Sequence, residues 1–149
     1  MRLVVKGTGH DYMGRSVAPN SLSIWTHHMK GIEYHERSFR PRSCWTAIVG
    51  NAITAEAGIQ MMDLYEYLDG YGETVVGGGG ITVGVGGYVT GGGHSVLSSR
   101  NGVAADQVLE MEVVTPDGEH IVANECQNED IFWAMRGVSR TAPDQIENQ

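Results

Sequence analysis

The stretch from Val76 to Ser95, VGGGGITVGVGGYVTGGGHS, governs how the rest of this chain is read. Ten of the seventeen residues from Gly77 to Gly93 are glycine, close to half of the 21 in the chain. The residues between them are mostly β-branched: Val76, Ile81, Thr82, Val83, Val85, Val89 and Thr90. A disordered linker would carry serine, proline and charge instead. The mixture reads as backbone bent sharply and repeatedly, with short valine-rich pieces holding the bends against a core. Glycine lets another group approach the main chain with no Cβ in the way. Successive exposed N–H groups form a concavity for an anion, most often a phosphate. The expectation is a stretch that wraps the phosphates of a large ligand.

The totals bound what surrounds it. A chain of 149 residues, 41% of them hydrophobic, has room for one domain with a core. A formal net charge of −8 argues against nucleic acid or an anionic membrane surface as the main partner. No apolar run approaches membrane-spanning length. The N-terminus, MRLVVKGTGHD, lacks a signal-peptide layout. Cys44 and Cys126 have no CxxC spacing and no companion ligands, which indicates neither zinc nor a disulfide framework. They read as two thiols, buried or partly exposed.

Working outward, Leu3-Val4-Val5 reads as a short buried strand feeding the Gly7-Thr8-Gly9 turn. Leu22, Ile24 and Thr26 alternate with polar or large neighbours, the period of a half-exposed strand. His27 to Arg42, with four basic residues, reads as a surface excursion. Trp45 to Val49 and Ala52 to Ala57 are β-prone around a turn at Gly50-Asn51. Met61, Leu64, Tyr65 and Leu68 mark one face of a helix, stopped by Gly70 and Gly72. Val108 to Val114 alternates again, with Glu110 and Glu112 on a solvated face. Thr115-Pro116-Asp117-Gly118 has type I turn chemistry, returning through His120 to Ala123 as a hairpin. Asn128 is a candidate N-cap for a helix through Phe132 and Trp133 that ends at Gly137. The tail 138–149 is polar and aperiodic. Hairpins mixed with one or two helices make the class α+β.

Four segments in this order carry a resemblance: KGTGHDYMGRS (Lys6 to Ser16), TVGVGGYVTGGGHSVLSS (Thr82 to Ser99), NGVAADQVLEMEVVTPDGE (Asn101 to Glu119) and NEDIFWAMRG (Asn128 to Gly137). Together they resemble the PCMH-type FAD-binding domain of FAD-linked oxidases of the vanillyl-alcohol-oxidase type, in particular its berberine-bridge-like branch. The resemblance implies FAD as cofactor, its phosphates on glycine-rich main chain. The residues it implies at the flavin are Gly7, Thr8, Gly9, His10 and Asp11 in the first motif. In the glycine stretch they are Gly80, Thr82, Val83, Gly84, Gly86 and Gly87, then Gly91, Gly92, Gly93 and His94. In relatives with the Gly-x-Gly-His motif the histidine is attached covalently to the flavin 8α-methyl group, and His10 is the matching residue. A neutral imidazole is a nucleophile near neutral pH; the same residue type also suits a solvated loop histidine. Relatives with a second attachment carry cysteine in a Gly-Cys-Pro-x-Val-Gly segment, where this chain has Gly80 and no thiol.

The resemblance also implies a partial domain, incomplete at both ends: residues 1–137 match, while 138–149 diverge. An α+β segment is expected before the match and a substrate domain after it, with the catalytic base in the latter. No catalytic residue is readable. The functional expectation is the FAD-binding portion of an oxidoreductase that oxidises an alcohol, sugar or secondary metabolite, with a small-molecule substrate and oxygen as acceptor in the longer protein. The alternative is a non-catalytic remnant that binds FAD weakly or not at all. Relatives are often secreted, and compartment is not readable here.

Other candidates reduce to structural readings. His94 either touches the flavin ring or ribityl chain or closes a loop through its backbone. Asp106 reads as a turn or cap residue. His27, His28 and His35 lack a carboxylate at ligand spacing, so no metal is expected. Trp25, Trp45 and Trp133 read as core or edge packing. No GxxxxGK[ST] is present, and the glycines do not open a long helix after a parallel strand, which excludes P-loop and dinucleotide-fingerprint readings.

Overall fold

A computed structural model describes residues 2–137. Its strands form four two-stranded sheets. Strand β1 (Arg2–Lys6) pairs in parallel with β2 (Ser21–Trp25), Leu3 opposite Leu22 and Val5 opposite Ile24. Only Val4 of the expected buried triplet is buried; Leu3 and Val5 lie on an exposed face with Leu22 and Ile24. The β-branched composition was enough to form the strand, but burial required a layer over that face. Thr26, expected on β2, opens a short 3₁₀ turn instead.

The segment expected as a surface excursion contains β3 (Ile32–His35) and β4 (Ser38–Phe39). Strands β5 (Ile48–Val49) and β6 (Ala52–Ala55) return antiparallel, β5 on β4 and β6 on β3. The four pieces make one interrupted ribbon. The Gly50-Asn51 turn therefore does not fold its flanking strands onto each other; Gly50 takes φ +135° and its N–H donates to Arg37 O at 2.8 Å. Alternation in β3 is confined to four residues between cations, too short a window to stand out. Ile32 and Tyr34, opposite Ala55 and Ile53, form its apolar face.

Helix α1 (Met61–Asp69) lies on that face. Met61, Leu64 and Leu68 are buried, as the spacing predicts, and Ile59, Leu64 and Leu68 pack with Ile32, Tyr34, Ile53, Ala55 and Val85. Each fully buried aliphatic side chain here contributes about 1.5–3 kcal/mol. Asp63 closes the first turn by accepting the Gln60 N–H at 2.9 Å, and also binds the Lys30 ammonium. Gly72, at φ +67°, ends the helix, its N–H donating to Asp69 O.

The glycine stretch is not all bends and valine-rich extended pieces. Val85–Thr90 is a short helix, α2, and Ser98–Asn101 forms a single turn, α3. Strands β7 (Glu110–Val114) and β8 (His120–Asn124) form the expected hairpin, with Gly118 N donating to Thr115 O at 2.9 Å. Helix α4 (Glu129–Met135) follows, burying Phe132. Asn128 sits at the N-cap position but in the left-handed region (φ +50°), and its side chain donates to Val122 O rather than capping. Asp106 does cap its turn, accepting the Val103 N–H at 2.8 Å. The polar tail 138–149 lies outside the described residues.

Three further expectations are corrected. Cys44 and Cys126 are not free thiols: they form a disulfide across 82 positions, Cα–Cα 5.4 Å. Glu110 is not simply solvated; it accepts from Arg42 N and from the fully buried Asn124 Nδ2. Asn124 also donates to Arg42 O and accepts from Cys126 N and Gln127 N, so each of its amide atoms is bonded. Bridge and amide together tie the end of the β4–β5 arm to the β7–β8 hairpin. The three tryptophans do not fill the core: Trp45 is 96% exposed, Trp133 70% and Trp25 55%. Among the described residues no helix is long and apolar enough to cross a membrane.

Candidate flavin site

The loop after β1 and the start of the α2 segment meet although they lie more than seventy positions apart. His10 Nε2 is hydrogen-bonded to Thr82 Oγ1 at 2.7 Å. Thr8 Oγ1 accepts the Gly84 N–H at 2.9 Å. A Cβ at Gly84 would sit 3.2 Å from the Thr8 side chain, and one at Gly86 3.3 Å from Ala57 Cβ, so both glycines permit this approach. The 81–85 segment is itself strapped to the start of α1: Met62 N donates to Ile81 O, Met61 N to Val83 O, and Val85 N to Ile59 O.

The 7–11 loop is braced from both sides. Trp25 Nε1 donates to Gly7 O at 2.8 Å, and the Lys6 ammonium lies 5.0 Å over the Trp25 ring. Gly9 takes φ +83°, a conformation that a side chain would strain. The Asp11 carboxylate, almost fully buried, accepts the Arg15 backbone N–H and the Arg15 guanidinium. That hydrogen bond raises the Arg15 pKa further above its ordinary value.

The later glycines serve a different end of α2. Ala104 N donates to Gly93 O and Ala105 N to Gly92 O. A Cβ on Gly93 would approach Ala104 Cβ to 2.5 Å. Gly91 terminates the helix. Gly91 to Gly93 thus dock the 3₁₀ turn Ala104–Gln107, and Gly87 lies within the helix. The His94 side chain is exposed while its carbonyl accepts from the Tyr88 hydroxyl at 2.7 Å, closing the loop through backbone. Of the residues named from sequence, Thr8, Gly9, His10, Gly80, Thr82, Val83 and Gly84 come together, while Gly92 and Gly93 bond the Ala104–Gln107 turn.

Sequence reading missed Tyr65 and Tyr88, whose hydroxyls bond the glycine stretch. Burial pushes both phenols above their ordinary pKa. Periodicity accounts for Tyr65 as a helix-face residue, and nothing local marks Tyr88.

The fold and this junction define a class: an α+β domain that presents glycine-rich main chain beside an exposed histidine. Residues 1–124 match the FAD binding domain family, and the chain belongs to it. It is 50% identical over 134 residues to the FAD-linked oxidoreductase ffsJ of Aspergillus flavipes, a match covering 89% of this chain and 22% of that protein. The crystal structure of the VAO-type flavoprotein MtVAO615 from Myceliophthora thermophila C1 superposes with TM-score 0.84 at 44% identity, over 92% of this chain and 24% of that one. Physcomitrella patens BBE-like 1 superposes with TM-score 0.74 at 28% identity, again over 92% of this chain and 28% of that one. The chain therefore spans about a quarter of the length of such relatives and corresponds to part of the FAD-binding domain of FAD-linked oxidoreductases.

The residues present fit FAD. The exposed backbone of Gly9 and His10, and of Gly79 through Thr82, offers N–H groups that donate to no acceptor among the described residues. A Cβ built on Gly79 meets nothing within 4 Å, leaving its main chain open to a close approach. Two neighbouring runs of free donors on glycine-rich backbone suit an oxygen-rich ligand.

Proposed function

We propose that this chain is the flavin-carrying portion of an FAD-linked oxidase, with His10 as the covalent attachment point. The observation that carries this reading is the convergence of the Thr8–His10 loop with the Thr82–Gly84 segment through two hydrogen bonds. Bound FAD supplies the hydride acceptor that the polypeptide lacks. The protein's part is placement. The hydrogen bond to Thr82 Oγ1 occupies His10 Nε2, which leaves Nδ1 as the ring nitrogen available for attachment. Gly80 leaves no thiol in the segment, and Cys44 and Cys126 are joined to each other, so no cysteinyl attachment competes with His10. Gly7 and Asp11 shape the loop, and Gly79 to Thr82 offer donors to oxygens of the cofactor.

In a full-length relative, the resemblance implies an alcohol, sugar or secondary metabolite as substrate and oxygen as the final acceptor. The Cys44–Cys126 bridge suits an oxidising compartment, in keeping with secretion. A second reading, a remnant that binds FAD weakly or not at all, draws on the exposed apolar face of β1–β2, where Leu3, Val5, Leu22 and Ile24 lie uncovered.

The intact mass and visible spectrum of the purified chain separate the two. A mass increase of one FAD with a yellow colour that survives acid precipitation, both lost in His10→Ala, is the expected result. An unmodified mass and no flavin uptake from added FAD would leave the remnant reading.

A further inference from the structure

Two tyrosines hold the glycine stretch from behind. Tyr65, on α1, donates its hydroxyl to Gly78 O at 2.7 Å. Tyr88, on α2, donates to His94 O at 2.7 Å and lies 3.4 Å from Val76 O. The Tyr88 ring sits between the two glycine runs: Cβ atoms built on Gly78 and Gly93 would come within 3.0 Å and 2.8 Å of it. A Cβ on Gly77 would strike the Tyr65 hydroxyl at 2.3 Å. Gly77, Gly78 and Gly93 therefore admit the two rings, a role separate from touching a ligand.

The consequence follows from peptide geometry. The Gly78–Gly79 peptide is trans, so its C=O and its N–H point in opposite directions. Anchoring Gly78 O inward on Tyr65 turns the Gly79 N–H away from the protein. Gly78 is buried and Gly79 exposed, with open space at the Gly79 Cβ position and no acceptor for its N–H among the described residues. Without the phenol, a glycine pair can rotate this peptide freely. Burial raises the pKa of both tyrosines, so their hydroxyls remain donors throughout the neutral range.

We propose that Tyr65, with Tyr88 holding the flanking runs, is a positioning residue for the cofactor: it fixes the Gly78–Gly79 peptide so that the Gly79 N–H is presented to an acceptor oxygen of FAD, phosphate or ring carbonyl. The inference rests on the FAD reading above. The test is amide NMR of the ¹⁵N-labelled full chain titrated with FAD and, separately, with riboflavin, beside Tyr65→Phe. In the wild type the Gly79 amide proton should move downfield among the largest shifts. A shift with riboflavin as well identifies a ring carbonyl, and one with FAD only identifies phosphate; either supports the proposal. Tyr65→Phe should lose most of the Gly79 shift and bind FAD about five- to ten-fold more weakly, the worth of one hydrogen bond.

A wild-type Gly79 amide that stays in place while those of Gly9 and His10 move overturns the proposal and leaves the FAD reading standing. A wild type in which FAD moves no amide overturns both. A folded Tyr65→Phe that keeps the full Gly79 shift likewise overturns the proposal.

Discussion

Removing the Cys44–Cys126 bridge should be the most costly single covalent change in this chain. The two cysteines are 82 positions apart, so the cross-link closes most of the chain into one loop in the unfolded state. Chain-entropy arithmetic for a loop of that length, −2.1 − 1.5R ln n, gives about 15 cal/mol/K, or about 4.5 kcal/mol at 25 °C. Native contacts such as the Asn124–Arg42 and Glu110–Arg42 bonds do not replace this term, because it acts on the unfolded ensemble. Against a total of about 5–15 kcal/mol for a typical domain, the loss is a large fraction. The assay is urea unfolding followed by far-UV circular dichroism, with and without reductant, for the wild type and for Cys44→Ser/Cys126→Ser. Reduction should lower the wild-type midpoint strongly, with a thermal shift of roughly 9–18 °C. The double variant should match the reduced wild type and ignore reductant. Coincident curves for oxidised and reduced wild type, with thiol titration confirming reduction, would refute the reasoning.

The glycines should divide by substitution. Gly93→Ala, at φ +75° with its Cβ 2.5 Å from Ala104 Cβ, should cost about 2 kcal/mol or more in urea unfolding, whereas Gly79→Ala, in open space, should leave the midpoint nearly unchanged and weaken FAD uptake. Thr82→Val should slow any attachment at His10, and Thr82→Ser should restore it, read as the rate of appearance of flavin mass. The Asp63 carboxyl is held below its ordinary pKa, first by the Lys30 ammonium and then by the Gln60 N–H. A carboxyl lowered on folding stabilises above its unfolded pKa and loses that contribution as pH falls through its folded one. The wild type minus Asp63→Asn difference should thus be constant above about pH 5 and vanish progressively below about pH 4. The pair is substantially exposed, so the difference should stay within about 1 kcal/mol.

Some of this architecture was legible because its causes are local. The i, i+3, i+4, i+7 spacing of Met61, Leu64, Tyr65 and Leu68 makes a helix in any context with an apolar surface nearby. Thr115-Pro116-Asp117-Gly118 closes its hairpin through backbone preferences of four residues. The glycine density between Val76 and Ser95 marks close approach of backbone, and the Gly-Thr-Gly-His motif marks the loop that bears His10. Asp106 caps its own turn three residues away, a range within which composition suffices.

What the chain could not declare in advance are the meetings between distant parts. Neither cysteine carries a local signal of its partner; pairing depends on the β4–β5 arm reaching the turn after β8. Asn128 occupies a cap position, yet its side chain is drawn off to Val122 O by the preceding hairpin. Ile32 and Tyr34 reveal their strand only once Ile53, Ala55 and α1 supply a face to bury them. Thr82 becomes the partner of His10 only when the α1 strap carries it across. Glycine itself was ambiguous: the same residue opens backbone to solvent at Gly79 and admits Tyr88 and Ala104 at Gly93. Sequence registers where the backbone must be unhindered, because absence of a Cβ is local. What approaches that backbone is set by packing among elements far apart in the chain, and only the folded arrangement decides it.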